Sequence, residues 1–327
     1  MQQPTCLVIA LACACGPGRR PAQPDGASPD ARAPADAALD GAGKLVLFGG
    51  WGGTAELGDT WEWDGSAWTQ RAVTGPTPRY ESAFAPVDGG VLLYGGGRSS
   101  GALDDTWLWD GAAWTQLSPA GQPPELVGAA AATLNGRLVM IGGDAFDFRT
   151  EAALVWSWGG TAWTQASQVV GTRSSAAAAA TTAQLVVFGG IDQGGQELAD
   201  TWISDGSQWS EDGGSHPSGR NGAAMATLGG AVVLFGGQDA GAMLGDTWVW
   251  SGSAWTQVAA AGPSPRFAPA MATLGDTVVL FGGQDADGKP LADTWSWNGT
   301  SWTQLAVAGP PARLQAMLAS EPAAGAL

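Results

Sequence analysis

The side chains that most often carry chemistry are scarce in this sequence. His216 is its only histidine, and its three cysteines, Cys6, Cys13 and Cys15, all lie within the first fifteen residues. Zinc and copper sites are built from several His or Cys ligands, and a Ser–His–Asp set needs a histidine beside its nucleophile. The sequence also contains no Gly-rich phosphate loop and no zinc-ligand spacing. We therefore expect no metal site, no cofactor and no catalytic residue of a familiar type.

The composition indicates many short strands joined by turns. The chain of 327 residues holds 51 glycines and 18 tryptophans, and 13% of it is charged. So few charges beside so many aromatics argue against disorder, and the glycine content argues against helices. The net charge of −16 would repel a phosphate backbone, so we expect no nucleic-acid partner.

The first fifteen residues resemble a bacterial lipoprotein signal. Residues 7–15 read LVIALACAC, an apolar run that is too short to cross a bilayer and is typical of a signal-peptide core. Cys13, preceded by Ala10-Leu11-Ala12, is the expected lipidated residue, and Cys15 is the alternative. Ala10 stands where a lipobox favours Leu, and no Lys or Arg precedes the run. An N-terminus without export is therefore the other interpretation.

A segment of different composition separates this leader from the rest of the chain. Residues 16–43 are rich in Pro, Ala, Asp and Gly and contain no aromatic residue. Such a segment cannot bury apolar area, so we expect a disordered tether. The folded domain is expected to span residues 44–320, followed by a short tail at residues 321–327.

An apolar residue followed by two glycines recurs six times. Its copies are 46, 47, 47, 47 and 46 residues apart and begin at Phe48, Tyr94, Ile141, Phe188, Phe235 and Phe281. An Asp-Thr-Trp sequence follows at Asp59, Asp105, Asp200, Asp246 and Asp293. A further Trp before a polar pair comes next, at Trp68, Trp114, Trp163, Trp209, Trp255 and Trp302. An arginine then follows in five copies, at Arg79, Arg173, Arg220, Arg266 and Arg313.

Each repeat contains four runs that are typical of strands. In the copy that begins at Arg79, they cover residues 82–87, 91–94, 106–109 and 114–117. Asp-Gly pairs mark tight hairpins between the first and second runs and between the third and fourth. Four antiparallel strands in a repeat of this length form one blade of a β-propeller. We therefore predict an all-β fold, a six-bladed β-propeller of four-stranded antiparallel blades.

The repeated pattern resembles the kelch repeat. The resemblance is carried by the double glycine, the Trp that follows it and a Pro-Arg pair such as Pro78-Arg79 before the next copy. It covers residues 44–320 and implies a propeller of the superfamily that includes galactose oxidase. That enzyme holds copper with tyrosine, histidine and cysteine, whereas the predicted propeller has two tyrosines, one histidine and no cysteine. The resemblance therefore implies the fold without the copper site.

Two copies depart from the pattern. The third has Leu154-Val155-Trp156 in place of Asp-Thr-Trp and Leu126 in place of the arginine. In the fourth, Ser204 replaces the second Trp of a Trp-x-Trp sequence.

The order of the runs predicts how the ring closes. The first copy begins at Lys44 with a second-type strand, and residues 313–320 read as an unaccompanied first strand. We therefore expect the C-terminal strand to complete the N-terminal blade, which removes exposed sheet edges.

The recurring residues are expected to serve the fold. Trp61 and Trp63 are two positions apart and so share one sheet face, where we expect them to pack between blades. The repeated arginine is expected to hydrogen-bond between neighbouring blades, and the aspartate of Asp-Thr-Trp to cap a turn before the third strand.

Residues that do not recur mark the candidate binding surface. Antiparallel order places the loops after the double glycines and those before the arginines on one face, and the tight turns on the other. The predicted ligand-binding residues on this loop face belong to three consecutive repeats: Trp51, Tyr80, Glu81, Arg98, Asp144, Phe146, Asp147, Phe148 and Arg149. Packing of the loop aromatics on the rim is the competing interpretation. Asp192, Asp239 and Asp285 recur after the double glycines and are interpreted as turn formers rather than a cation site.

The expected function is that of an exported cell-envelope or secreted binding protein. It would present its loop face to a protein or a glycan, act as a monomer and reach the membrane only through a lipid anchor. The alternative is a secreted carbohydrate-active enzyme, such as a lyase, hydrolase or sugar isomerase, with Arg and carboxylates at the propeller mouth. A deep axial pocket with two or more close carboxylates or arginines would favour catalysis, and a shallow aromatic face would favour binding. A purely structural surface protein is the third hypothesis.

Overall fold

Six four-stranded antiparallel sheets make up the fold. The computed structural model describes residues 43–144, 154–166 and 170–322, and all regular secondary structure in these ranges is β. Each sheet is one blade, numbered here 1 to 6 in chain order, and its strands are called first to fourth from the axis outward. The predicted all-β, six-bladed propeller is confirmed. The leader and nearly all of the predicted tether lie outside the described residues.

The first strands line the axis. Each contacts the first strands of both neighbouring blades, so that they form a closed ring. Small side chains suit this crowded position, and alanine is frequent in the strands, which are Met317–Ser320, Ala83–Val87, Ala130–Leu134, Ala177–Ala180, Ala224–Leu228 and Ala270–Leu274.

The second strands form the core of each blade. Both of their faces are covered by neighbouring blades, so they read as nearly continuous apolar runs instead of alternating ones. They are Leu45–Phe48, Gly90–Tyr94, Arg137–Ile141, Leu185–Phe188, Ala231–Phe235 and Thr277–Phe281.

The third and fourth strands form an outer hairpin in each blade. The third strands are Thr60–Trp63, Thr106–Trp109, Val155–Trp158, Thr201–Ser204, Thr247–Trp250 and Thr294–Trp297. The fourth strands are Trp68–Arg71, Trp114–Leu117, Trp163–Gln165, Trp209–Asp212, Trp255–Val258 and Trp302–Leu305. Two short hairpins project from the loops after the double glycines: Gly97–Arg98 with Gly101–Ala102, and Gln238–Asp239 with Ala242–Met243.

The C-terminal strand closes the ring as predicted. It pairs antiparallel with the second strand of blade 1, with Phe48 opposite Met317 and Leu45 opposite Ser320. Beyond it, Glu321 donates its backbone N–H to the Lys44 carbonyl. One blade is thus built from both ends of the propeller sequence.

Adjacent blades are joined by the Trp that begins each fourth strand. Trp114 of blade 2 lies edge-on to Phe48 of blade 1, with ring centroids 5.1 Å apart, and its Nε1 donates to Thr60 Oγ1 at 2.9 Å. Equivalent ring pairs are Tyr94–Trp163, Phe188–Trp255, Phe235–Trp302 and Phe281–Trp68. Trp63 is 2% exposed in such a cluster, whereas Trp61 is partly exposed at its edge. Both pack on the predicted face, but only Trp63 is fully buried.

Five buried arginines each connect two neighbouring blades. The backbone of Arg79 bonds to blade 1: its N–H donates to the Leu57 carbonyl and its own carbonyl accepts from Gly50. Its guanidinium bonds to blade 2, where it donates to the Gly95 carbonyl at 3.0 Å and to both carboxylate oxygens of Asp105. The same ion pairs recur as Arg173–Asp200, Arg220–Asp246, Arg266–Asp293 and Arg313–Asp59. The interblade role predicted for the arginine is confirmed.

The aspartate of Asp-Thr-Trp has a different role from the predicted turn cap. Asp105 accepts hydrogen bonds from Arg79 and, at 2.7 Å, from Trp107 Nε1. Burial by itself would raise the pKa of Asp105, but the hydrogen bonds and charge of Arg79 outweigh it and hold that pKa below its usual value. The same causes lower the pKa of the other four paired aspartates. Sequence spacing did not show that this carboxylate faces the arginine.

Blade 3 replaces both members of the ion pair. Leu126 occupies the arginine position. Its N–H donates to the Leu103 carbonyl and its carbonyl accepts from the Gly96 N–H, which corresponds to the two backbone hydrogen bonds of Arg79 to blade 1. Leu154 stands at the aspartate position of the repeat. Removal of one partner alone would leave a buried charge unpaired, so the joint loss is the less costly change.

Removal of the residues after Pro311 tests the closure of the ring. The shortened chain loses the first strand of blade 1 and the Arg313–Asp59 ion pair, so we expect it to aggregate or to unfold at a much lower temperature than the full chain. Thermal unfolding followed by circular dichroism measures the difference. A chain lacking only residues 323–327 is the control and should melt like the full chain. Equal melting of the chain ending at Pro311 would show that closure is not required.

Acid stability tests the five ion pairs. Each paired aspartate has a folded pKa below its unfolded value of 3.8. The stabilisation is therefore complete above pH 3.8 and is lost as the pH falls from there through the folded pKa. We expect the melting temperature to fall steeply below this pH. The Asp105→Asn variant should be less stable than the unsubstituted protein at neutral pH, but its melting temperature should fall less on acidification. An equal fall in both proteins would contradict the stabilising role of the ion pair.

Candidate functional site

Six residues form a closed ring around the axis at the loop face. Each lies two positions after the repeated arginine or its Leu126 counterpart, and its N–H donates to the carbonyl of the ring residue in the preceding blade, over 2.8–3.1 Å. We call this the mouth ring. In blade order its members are Gln315, Glu81, Gly128, Ser175, Gly222 and Ala268.

The mouth ring requires an unusual backbone conformation. All six members have positive φ, from 47° at Ala268 to 70° at Gly128. Glycine adopts this conformation without steric cost, as at Gly128 and Gly222, whereas other residues are strained in it. Four members that are not glycine hold this conformation, Glu81, Ser175, Ala268 and Gln315, and Glu81, with φ of 52°, is the charged one among them, which makes it a candidate functional residue.

Glu81 is held in place by two other members of the mouth ring. Gln315 Nε2 donates to Glu81 Oε1 at 2.8 Å, and Ser175 Oγ donates to the same oxygen at 3.3 Å. Burial raises the pKa of the Glu81 carboxyl, the hydrogen bonds from Gln315 and Ser175 oppose this rise, and the nearby charge of Asp144 adds to it. The side chain is therefore positioned at the axis with a restricted orientation.

A second row of residues surrounds the mouth ring. In each blade, the residue after the arginine position bridges to the residue after the double glycine: Leu314–Trp51, Tyr80–Gly97, Val127–Asp144, Ser174–Ile191, Asn221–Gln238 and Phe267–Gln284. Large apolar side chains occur in this row from blade 6 through blade 1 to blade 4. We call them the apolar arc, which consists of Phe267, Leu314, Trp51, Tyr80, Val127 and Ile191.

Trp51 and Tyr80 form the aromatic part of the apolar arc. Their rings meet edge to face, with centroids 6.3 Å apart and an interplanar angle of 83°, and both side chains are partly exposed. Burial raises the pKa of Tyr80, and the charges of Glu81 and Glu56 raise it further. The structure thus places Trp51, Tyr80 and Glu81, three of the residues predicted to bind a ligand, side by side.

Arg98 lies next to this aromatic pair. It follows Gly97, whose backbone pairs with Tyr80, and its Nε is buried without a hydrogen-bond partner among the described residues. Its positive charge lowers the pKa of Glu56, after the larger effect of hydrogen bonds from backbone N–H groups. Glu56 Oε1 in turn accepts from the backbone N–H of Ser99, which links the loops of blades 1 and 2.

The fifth predicted residue with a described position is Asp144. Its backbone pairs with Val127 in blade 3, and its charge raises the pKa of Glu81. The remaining four predicted residues, Phe146, Asp147, Phe148 and Arg149, lie outside the described residues.

Sequence reasoning missed several residues of the mouth. The ring of Phe267 lies over Gly222, where a Cβ atom would come within 2.1 Å of Phe267 Cε2. Gln315 and Ser175 hold Glu81, and neither was a candidate. All three come one or two positions after a repeated arginine, so comparison of those two positions across the six copies was the signal that could have found them.

The axial channel opens beneath the mouth ring. A chamber of about 190 Å³ at the loop face is lined by Glu81, Ser175, Gln315 and a layer of alanines. A larger chamber of about 520 Å³ opens toward the tight turns, and Phe84, Met225 and Met271 contribute to the walls of both. Glu81 is the one charged side chain among the described residues that line the loop-face chamber.

The loop aspartates act as turn formers in two of the three predicted cases. Asp192 Oδ1 accepts from the N–H groups of Gly194 and Gln196, and Asp285 Oδ1 accepts from those of Asp287 and Lys289. Asp239 instead lies in the short hairpin of blade 5. Within the described ranges, no three His, Cys, Asp or Glu residues come together in a way that could hold a metal ion.

The comparisons with known proteins agree with this architecture. The family model described as the KLHDC2/KLHL20/DRC7 Kelch-repeats domain matches residues 128–318, which is more than half of the chain. No curated protein matches the sequence.

Metal analysis tests the expected absence of a transition-metal site. One histidine and no cysteine after residue 15 leave too few imidazole or thiolate ligands for tight binding of copper, iron or zinc. We expect elemental analysis of the purified protein to find less than stoichiometric amounts of these metals after chelator washing. A stoichiometric metal that survives washing would contradict the prediction. Weak calcium binding would not, because calcium takes oxygen ligands.

Proposed function

The chain belongs to the kelch-repeat family, and on that basis we propose that it is a binding protein whose loop face, across blades 1 to 3, takes a protein ligand. The observation that carries this proposal is the division of roles among the side chains. The buried arginines, the paired aspartates and most tryptophans are occupied in joining blades, while Trp51, Tyr80 and Arg98 depart from the repeat and meet at the loop face. A glycan is the alternative ligand.

The apolar arc supports recognition of an apolar or aromatic ligand group. Trp51 and Tyr80 offer partly exposed aromatic rings, and such rings supply large contact area with few rotatable bonds. Glu81, Arg98 and Asp144 lie beside them and supply acceptors and donors that would orient a ligand.

The same geometry supports binding rather than catalysis. A carbohydrate-active site would need two suitably placed carboxylates or free arginines in an axial pocket. The loop-face chamber has Glu81 as its charged group among the described residues, and the repeated guanidiniums are buried in ion pairs away from it. We therefore propose that the domain is not an enzyme.

We further propose that the protein is exported and anchored by lipid at Cys13, with Cys15 as the alternative. The support is the apolar run at residues 7–15 followed by the Pro-rich segment at residues 16–43. The described part of the chain has no helix of the length and apolar character that a membrane span requires.

Substitution of Trp51 tests the binding proposal. The full chain is screened on peptide and glycan arrays, and titration calorimetry measures the strongest ligand with each variant. Trp51→Ala should weaken binding by about 1–3 kcal/mol, as for the loss of an aromatic anchor, with little change in stability. Trp63→Ala is the matched control: it should cost roughly 3–5 kcal/mol of stability because the side chain is fully buried.

Two outcomes would contradict the binding proposal. In one, the affinity does not change when Trp51 or Tyr80 is substituted but falls when residues of the tight turns on the opposite face are substituted. In the other, glycans bind and no peptide does, which would replace the protein ligand by the alternative.

Substitution of the leader cysteines tests the proposed anchor. In a bacterial host, Cys13→Ser should release the protein from the membrane fraction, as judged by immunoblotting after fractionation. Membrane retention in Cys13→Ser, with release in Cys15→Ser, would move the anchor to Cys15. Recovery of the unsubstituted protein in the cytoplasmic fraction would contradict export.

A further inference from the structure

Resting on the proposed function, we propose that one lysine side chain of a protein partner reaches the mouth of the loop-face chamber and that Glu81 binds its ammonium group there. The site is formed by the mouth ring, the alanine layer beneath it and the aromatic side chains at its rim. It assigns the partner a specific chemistry that the binding function alone does not supply.

The charge of Glu81 calls for a cation. No Lys, Arg or His of the described residues forms a salt bridge with this carboxylate. Among the described residues, the charge that acts on the pKa of Glu81 is that of Asp144, which has the same sign. A partly buried carboxylate with no cation paired to it in the described ranges is unfavourable, and a cation from the partner relieves that cost.

The hydrogen bonds of Glu81 favour an ammonium over a guanidinium. Gln315 and Ser175 both donate to Oε1, so neither bond uses Oε2. Oε2 lies toward Gly128, at 3.6 Å from the place where a Cβ atom of that glycine would be. The planar fork of an arginine is satisfied best by both oxygens of a carboxylate, whereas an ammonium can donate to a single oxygen. Oε2 of Glu81, which accepts neither of these two hydrogen bonds, therefore suits the ammonium group of a lysine.

The rim of the chamber suits the stem of a lysine that enters from the loop face. Glu81 lies at the mouth, above a lining of small apolar side chains that includes Ala129, Ala176 and Ala316, so the ammonium group meets the carboxylate there and the stem stays at the rim. Lysine packs its methylene chain along apolar surface while its charged end reaches a polar partner. At the rim, the faces of Trp51 and Tyr80 provide apolar contact for the residues that flank the lysine in the partner.

Small amines that mimic a lysine side chain test the inference directly. n-Pentylammonium serves as the side-chain probe, and its binding to the full chain is measured by ligand-observed NMR titration. n-Pentylguanidinium and 1-pentanol are the comparison probes. We expect n-pentylammonium to bind most tightly, and Glu81→Gln to weaken it by about tenfold through loss of the charge-assisted hydrogen bond. Glu125→Gln, an exposed carboxylate on the same face, should change it by less than about twofold.

A second variant guards against misfolding of the first. Gln315→Lys places an ammonium beside Glu81 and should abolish n-pentylammonium binding in a protein that keeps its melting temperature. The inference is overturned if n-pentylammonium binds Glu81→Gln or Gln315→Lys as it binds the unsubstituted protein. It is also overturned if n-pentylguanidinium or 1-pentanol binds equally well.

The two proposals fail in different ways. Suppose that Trp51→Ala weakens the binding of a peptide, but that neither Glu81→Gln nor replacement of any lysine in the peptide changes its affinity. This result would support the loop-face binding function and overturn the lysine site. A ligand whose affinity is the same for every loop-face variant overturns the binding function itself. The n-pentylammonium titration would still decide whether Glu81 binds an ammonium group.

Discussion

The buried arginine at the start of a blade is bonded to two blades at once, and the rest of the structure depends on that link. The backbone of Arg79 pairs with blade 1, and its guanidinium bonds to a glycine carbonyl and to Asp105 in blade 2. The five copies of this link fix the angle between successive blades. They also fix where the chain turns into the mouth ring, because each ring residue lies two positions beyond the arginine. Arg313 forms the link between blade 6 and blade 1, so closure uses the same bonds as the four other interfaces that carry the ion pair.

This arrangement separates the residues that hold the fold from those that remain free to bind. An arginine bonded to a carboxylate and a carbonyl has few donors left for a ligand, and a Trp buried between blades presents no face to solvent. Residues one and two positions after the arginine are under a different constraint, since the hydrogen bonds that every blade repeats there, in the second row and in the mouth ring, join backbone atoms. Their side chains differ from blade to blade, with Glu81 in blade 2 and Gly128 in blade 3. The binding chemistry of the molecule can therefore change without a change in the scaffold.

The recurrence of the sequence predicted most of the fold. Six equally spaced double glycines predicted six blades, and the missing first strand before Lys44 predicted closure by residues 313–320, of which 317–320 form the strand. The pairing of Arg79 with Asp105 was not predicted, because separation along the chain does not reveal which side chains face each other. Gln315 was missed for a related reason: the direction of its side chain depends on the left-handed backbone of the mouth ring, which sequence spacing does not show. Nor does spacing show that the ring of Phe267 lies over Gly222 of the preceding blade.

A double-mutant cycle on Arg79 and Asp105 tests the central role of the interblade link most directly. Blade 3 already carries Leu126 and Leu154 at these positions, so the cycle compares Arg79→Leu, Asp105→Leu and the double substitution by urea unfolding. Each single change should cost about 3–5 kcal/mol, because it leaves a buried charge unpaired, and the double change should recover much of that loss. A double variant that loses the sum of the two single effects would show that the two residues act independently, and would contradict the account.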